Sequence, residues 1–149
     1  MTQTLITNAR LIDPEGATDA PGGLLIRDGK IAAIFGMGDT PDPHPDWRIL
    51  DAQGKCLAPG IVDIGVKVCE PGERHKESYR SAGMAAAAGG VTTIATRPDT
   101  TPAIDSPEVL EFVSRRANEA APVNVLPMAA LTKGRAGKEM TEIGFLMDA

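Results

Sequence analysis

Two stretches of the chain concentrate side chains that could do chemistry. The first, Asp63-Ile64-Gly65-Val66-Lys67-Val68-Cys69-Glu70, has the apolar frame of a strand. Positions two apart on a strand share a face, so donors at i and i+2 there could reach one metal ion. Positions 65 and 67 are one such pair, and they hold glycine and lysine. Glycine has no donor atom, and a protonated lysine has no lone pair and would oppose a dication. The second stretch is Arg97-Pro98-Asp99-Thr100, whose carboxylate could serve as counter-charge for that lysine. The expectation is that Lys67 pairs with Asp63 or Asp99.

The other metal-capable residues form no ligand pattern. His44 stands between Pro43 and Pro45 and reads as a solvated loop residue, and His75 reads as having a structural or solvent-facing role. Cys56 and Cys69 lack the CxxC spacing of a zinc knuckle and, without secretory features, are expected to be free thiols.

The 149 residues are 42% hydrophobic and 23% charged with a formal net charge of -5, which describes an ordinary globular protein rather than a disordered one. No Lys/Arg cluster gives nucleic acid a footprint. The start carries no basic flank with an apolar core, and no apolar run approaches the ~18 residues of a membrane span. These features predict a cytoplasmic protein with neither nucleic-acid nor membrane partners.

The elements that must position these residues fall into two grammars. Residues 1–56 alternate short apolar runs with turn signals, and Asp28-Gly29 between two of them marks a type I′ hairpin. This predicts a small β-sandwich segment, with an exposed proline-rich loop over 36–46. From residue 57 the pattern becomes strand, helix, strand, helix, as in a parallel βαβ sheet. Strands are expected over 61–68, 91–96 and 123–128. Helices are expected over 76–88, stopped by Gly89-Gly90, and from Ser106 as N-cap with Pro107 at the first helical position. A third helix is expected from about Lys138, with Met140, Ile143, Leu146 and Met147 in its core stripe.

The strings Ala58-Pro59-Gly60-Ile61-Val62-Asp63, Glu70-Pro71-Gly72, His75-Lys76-Glu77, Ala85-Ala86-Ala87-Ala88-Gly89-Gly90-Val91-Thr92-Thr93, Pro98-Asp99-Thr100, Asn124-Val125-Leu126-Pro127 and Thr132-Lys133-Gly134 resemble dihydroorotases, members of the cyclic amidohydrolase group. The resemblance covers nearly the whole chain. It implies an α/β fold, the start of a TIM-type (β/α)8 barrel over 57–149 preceded by the β-sandwich segment. Three βα units are too few for a barrel of eight, so the chain is expected to be the front of a longer protein or to need another polypeptide.

In that family two first-strand histidines hold a binuclear zinc centre whose hydroxide opens a ring amide, interconverting dihydroorotate and carbamoyl aspartate. Gly65 and Lys67 occupy those positions here, so neither a catalytic nor a metal-binding residue is expected. The family's substrate-gripping arginine and asparagine correspond to Cys69 and Asp99. An aspartate ~4 Å from a substrate carboxylate costs about 4 kcal/mol at an effective dielectric near 20, roughly a thousandfold in affinity. Asp63 is expected to be structural.

The resemblance therefore implies a non-catalytic member without cofactor that partners aspartate transcarbamoylase or itself. The alternatives are an active zinc amidohydrolase whose site is completed beyond residue 149, and a remnant of a larger chain.

Overall fold

The computed structural model describes residues 3–149. The chain divides into two compact units, Met1–Pro59 and Gly60–Ala149.

The first unit is one five-stranded sheet built from β1 (Gln3–Asp13), β2 (Thr18–Arg27), β3 (Lys30–Gly36), β4 (Arg48–Asp51) and β5 (Cys56–Leu57), in the order β3-β2-β1-β4 with β5 also on β1. The β1–β2 and β2–β3 pairs are antiparallel, whereas β4 and β5 run parallel to β1. Asp28 and Gly29 have φ of 51° and 75°, as the two central positions of a type I′ hairpin require. Leu5, Ala9, Leu24 and Leu25 are buried in it. The two apolar runs 4–7 and 11–12 belong to a single strand, interrupted where Asn8 adopts φ 52° and the β1–β2 register shifts.

The second unit is a three-stranded parallel sheet in the order β6 (Ile61–Val66), β7 (Val91–Thr96), β8 (Asn124–Pro127), crossed over by α1 (Tyr79–Ala88) and α2 (Pro107–Ala120) and followed by α3 (Ile143–Asp148). Parallel β-helix-β crossovers of this kind are what the alternating apolar and helical segments call for. One core cluster joins sheet and helices: Val68, Tyr79, Ala82, Ile104, Leu110, Val113, Ala117 and Leu146. Ile94 of β7 is also buried, at 1% exposure.

Helix starts are locally determined. Ser78 caps α1 through a reciprocal box with Ser81, each side-chain oxygen accepting the other's backbone N–H, at 3.2 and 2.9 Å. That box places the start after the expected Lys76. The helix stops at Gly89 with an ordinary φ of -86°, and Gly90 takes the positive φ of 79°. Pro107 occupies the start of α2 as expected, but Ser106 makes no side-chain cap bond.

The third helix departs most from expectation. It begins at Ile143 rather than near Lys138, because residues 132–140 form a turn closed by a Thr132–Met140 bridge and the Gly137 N–H bond to Thr132 Oγ1. Met140 and Met147 are 61% and 81% exposed rather than core, since a six-residue helix presents only Leu146 to the cluster.

Candidate functional site

The C-terminal ends of β6 and β7 bring the charged residues together. Three register facts decide which. Asp63 pairs with Ile94, Ile64 with Ala95, and Val66 with Thr96, so Gly65 is an extra residue in β6. It is a β-bulge, and its φ of 91° is open to glycine without strain.

Neighbours in a sheet share a face. Ile94 and Thr96 both lie at 1% exposure, and Val66 packs against the helix-covered core. Asp63 and Val66 therefore share the helix side although they are three apart, and Ile64 and Lys67 fall on the opposite face. This is the physical reason Asp63 takes no part in the cluster. Of the two carboxylates expected for Lys67, Asp63 has no ion-pair partner among the described residues.

Lys67 meets Asp99 instead. Its Nζ lies 3.1 Å from Asp99 Oδ2, and Arg97 Nη2 lies 3.2 Å from the same oxygen. The carboxylate side chain is 9% exposed while both cations are 51% exposed. Burial pushes the Asp99 carboxyl up, but the Lys67 hydrogen bond and the Arg97 charge outweigh it and hold the group below its ordinary range. Asp99 Oδ1 is buried and makes no hydrogen bond to the protein.

Arg97 was missed from sequence. The signal was its place in the quoted Arg97-Pro98-Asp99-Thr100 string, where its main chain continues the β6–β7 pairing through Arg97 N–H to Val66 O at 2.9 Å.

Cys69 lies half-buried beyond Lys67 and belongs to no ligand group. His75 and His44 are both exposed. His44 Nδ1 accepts the Asp46 N–H at 3.3 Å, a local loop contact.

A second cluster lies next to this one in sequence. Glu70, 5% exposed, accepts from Arg116 Nε at 2.8 Å and from the Tyr79 N–H at 3.0 Å, with Arg74 at 3.5 Å. It ties the β6–α1 loop to the first turn of α1 and to the middle of α2. Burial pushes the Glu70 carboxyl up, and the Arg116 and Tyr79 hydrogen bonds with the two guanidinium charges bring it below its ordinary range. Burial likewise pushes the Tyr79 hydroxyl up to about 12.

These residues do not fit a divalent metal. At the strand end, position 65 has no side chain, position 67 carries an ammonium already paired, and the nearest carboxylate is neutralised by two cations. Among the described residues no three His, Cys, Asp or Glu side chains converge as a metal group. No helix of the described residues is long and apolar enough to cross a membrane.

The fold places the chain among the amidohydrolase barrels. An L-hydantoinase (dihydropyrimidinase) from Arthrobacter aurescens superposes with a TM-score of 0.75 at 28% identity, over 89% of this chain and 28% of that one. A D-hydantoinase shares the fold at a TM-score of 0.70 and 23% identity, over 99% of this chain and 29% of its own. The α/β unit is thus the N-terminal segment of such a barrel.

The chain belongs to the dihydroorotase-like family, whose sequence profile, described as Dihydro-orotase-like, matches residues 54–149. It is 42% identical over 146 residues to a dihydroorotase of Syntrophus aciditrophicus, covering 97% of this chain and 34% of that protein. It is also 42% identical over 144 residues to a dihydroorotase of Bacillus cytotoxicus, covering 97% and 32%. The chain thus spans about a third of the length of these curated relatives.

Proposed function

We propose that this is a dihydroorotase-like protein of pyrimidine biosynthesis that does not catalyse, and that it acts as a structural partner of aspartate transcarbamoylase. The observation that carries the reading is the Lys67–Asp99 contact at 3.1 Å, joined by Arg97, at the strand ends where the family resemblance puts metal ligands and substrate contacts. A cation supplied by the protein balances the carboxylate there, and a substrate carboxylate would face Asp99 in place of a neutral amide.

The 42% identity to proteins named dihydroorotase favours a second reading, an active zinc-dependent enzyme whose ligands come from elsewhere in a longer barrel. The two readings differ in what the protein keeps its surfaces for. Mixed at micromolar concentration with the aspartate transcarbamoylase of its own organism, the protein is expected to co-elute with it on size exclusion as a complex of fixed stoichiometry. Separate elution of the two at every ratio tried would remove the partnership.

A further inference from the structure

We propose that the apolar face of the five-stranded sheet docks a second copy of this chain, face to face about a two-fold axis that runs along the strands between β1 and β2. This goes beyond the reading above. It concerns the first unit alone and holds with or without aspartate transcarbamoylase.

The strand pairing builds the face. Ile6 stands beside Leu24 and Leu50, and Leu24 stands beside Ile34. Cross-strand neighbours share a face, so one row crosses four strands as Ile34, Leu24, Ile6 and Leu50. Ile31 joins the same side through a bulge. Ile26 pairs with Ile31 and Leu25 with Ala33, which leaves Ala32 unmatched and keeps two isoleucines three apart on one face. Their position is directly visible: Ile6, Leu24, Ile26, Ile31, Ile34 and Leu57 line a single cavity.

The face is open where the row ends. Ile6 and Leu24 are 8% and 7% exposed, whereas Ile31, Ile34 and Leu50 are 61%, 66% and 46% exposed. A lone sheet needs its apolar side covered. β3 is also an edge strand, but a bulged edge is a poor template for strand addition. The face, and not the edge, is what this sheet offers.

A second copy fits because the row matches itself under the axis. Rotation sets Ile34 on Leu50 of the other copy and Leu24 on Ile6, so each isoleucine meets a leucine. Charges at the two ends of the face do not meet their own kind. Arg48, level with Thr4, lands on Ile31, and Asp13, level with Thr18, lands on Thr18. Four strands ~4.8 Å apart and the ~8 residues from Thr4 to Leu11 make a face of roughly 500 Å², so a pair buries about 1,000 Å². That is the lower bound for a specific interface, and a weak, micromolar dimer follows.

Sedimentation velocity of the whole chain across the micromolar range tests this. The samples are the wild type, Ile34→Lys, Leu50→Asp, Ile34→Lys/Leu50→Asp and Ile64→Lys, each first checked for a native circular dichroism spectrum. The wild type should pass from 15.6 kDa toward twice that mass as concentration rises. Each single charge on the face should weaken association on the order of a hundredfold, because it is desolvated without a partner. In the double variant the new ammonium of one copy faces the new carboxylate of the other, and about a tenfold recovery over either single is expected. Ile64→Lys alters a comparably exposed isoleucine of the parallel sheet and should change nothing.

A wild type that stays monomeric at every concentration overturns the proposal and leaves the face to a different partner. So does a dimer that Ile34→Lys leaves intact, or one that Ile64→Lys alone dissolves. Singles that weaken association with no recovery in the double variant overturn the arrangement. If one single variant does not fold, the other against wild type still decides.

Discussion

Replacing Glu70 by alanine is expected to destabilise the βα unit by about 2–3 kcal/mol, measured by denaturant unfolding. Glu70 is 5% exposed and holds three things at once: the Arg116 guanidinium, the first N–H of α1 and the Arg74 charge. Its removal leaves Arg116, a quarter exposed, without its carboxylate. It also strips a buried helix-start donor of its acceptor. Arg116 can still reach water, which keeps the loss below that of a fully buried pair. Glu70→Gln, which preserves an acceptor, should lose less.

The same carboxylate makes a pH dependence with a definite sign. Because its folded-state value is depressed, Glu70 contributes its full stability above the ordinary unfolded-state carboxyl range. That contribution is lost as the pH falls below this range and through the folded value. The stability gap between wild type and Glu70→Ala should therefore be widest near neutrality and shrink in acid. A gap that stays constant to low pH would show that the effect is packing and not charge.

The Ile104→Ala variant should cost about 3–4 kcal/mol, since a fully buried isoleucine loses both its transfer free energy and the packing around the space it leaves. Ile104 is 0% exposed within the cluster of Val68, Tyr79 and Val113. Its main chain is equally committed, with its N–H on Pro98 O at 3.2 Å and its carbonyl accepting the Ala130 N–H at 2.7 Å. It thereby anchors the loop that carries Asp99. Beyond the lower unfolding free energy, amide exchange of residues 97–104 should accelerate in this variant. Unchanged exchange there would mean the loop is held without Ile104, by the Lys67 and Arg97 ion pairs and the Thr101 N–H bond to Pro71 O.

Local signals carried most of the fold because they act over a few residues. β7 lies over the expected 91–96, α2 starts at Pro107, and the Asp28-Gly29 hairpin has both positive φ values its turn type needs. Longer-range features were not legible. β4 and β5 are short and pair parallel to β1 from more than forty residues away, so no hairpin signature announces them. The exposed methionines near α3 follow a helical spacing that the turn at 132–140 cancels before it can bury them.

The site was half legible for the same reason. Residue types at 65, 67 and 99 could be read directly, and Asp99 was one of two carboxylates named for Lys67. Choosing between Asp63 and Asp99 required the bulge, because a single inserted residue exchanges the faces of everything after it. A strand pattern read with a strict period of two puts Asp63 and Lys67 together, and the structure separates them. Glu70 shows a further limit: nothing in a Glu-Pro-Gly string says that an arginine 46 residues away will reach its carboxylate.

Zinc content and dihydroorotate turnover, measured together on the purified protein, test the non-catalytic reading most directly. That reading predicts substoichiometric zinc and no conversion in either direction above a blank, with the Lys67–Asp99 pair intact. One tightly held zinc per chain together with turnover of dihydroorotate or carbamoyl aspartate would contradict it.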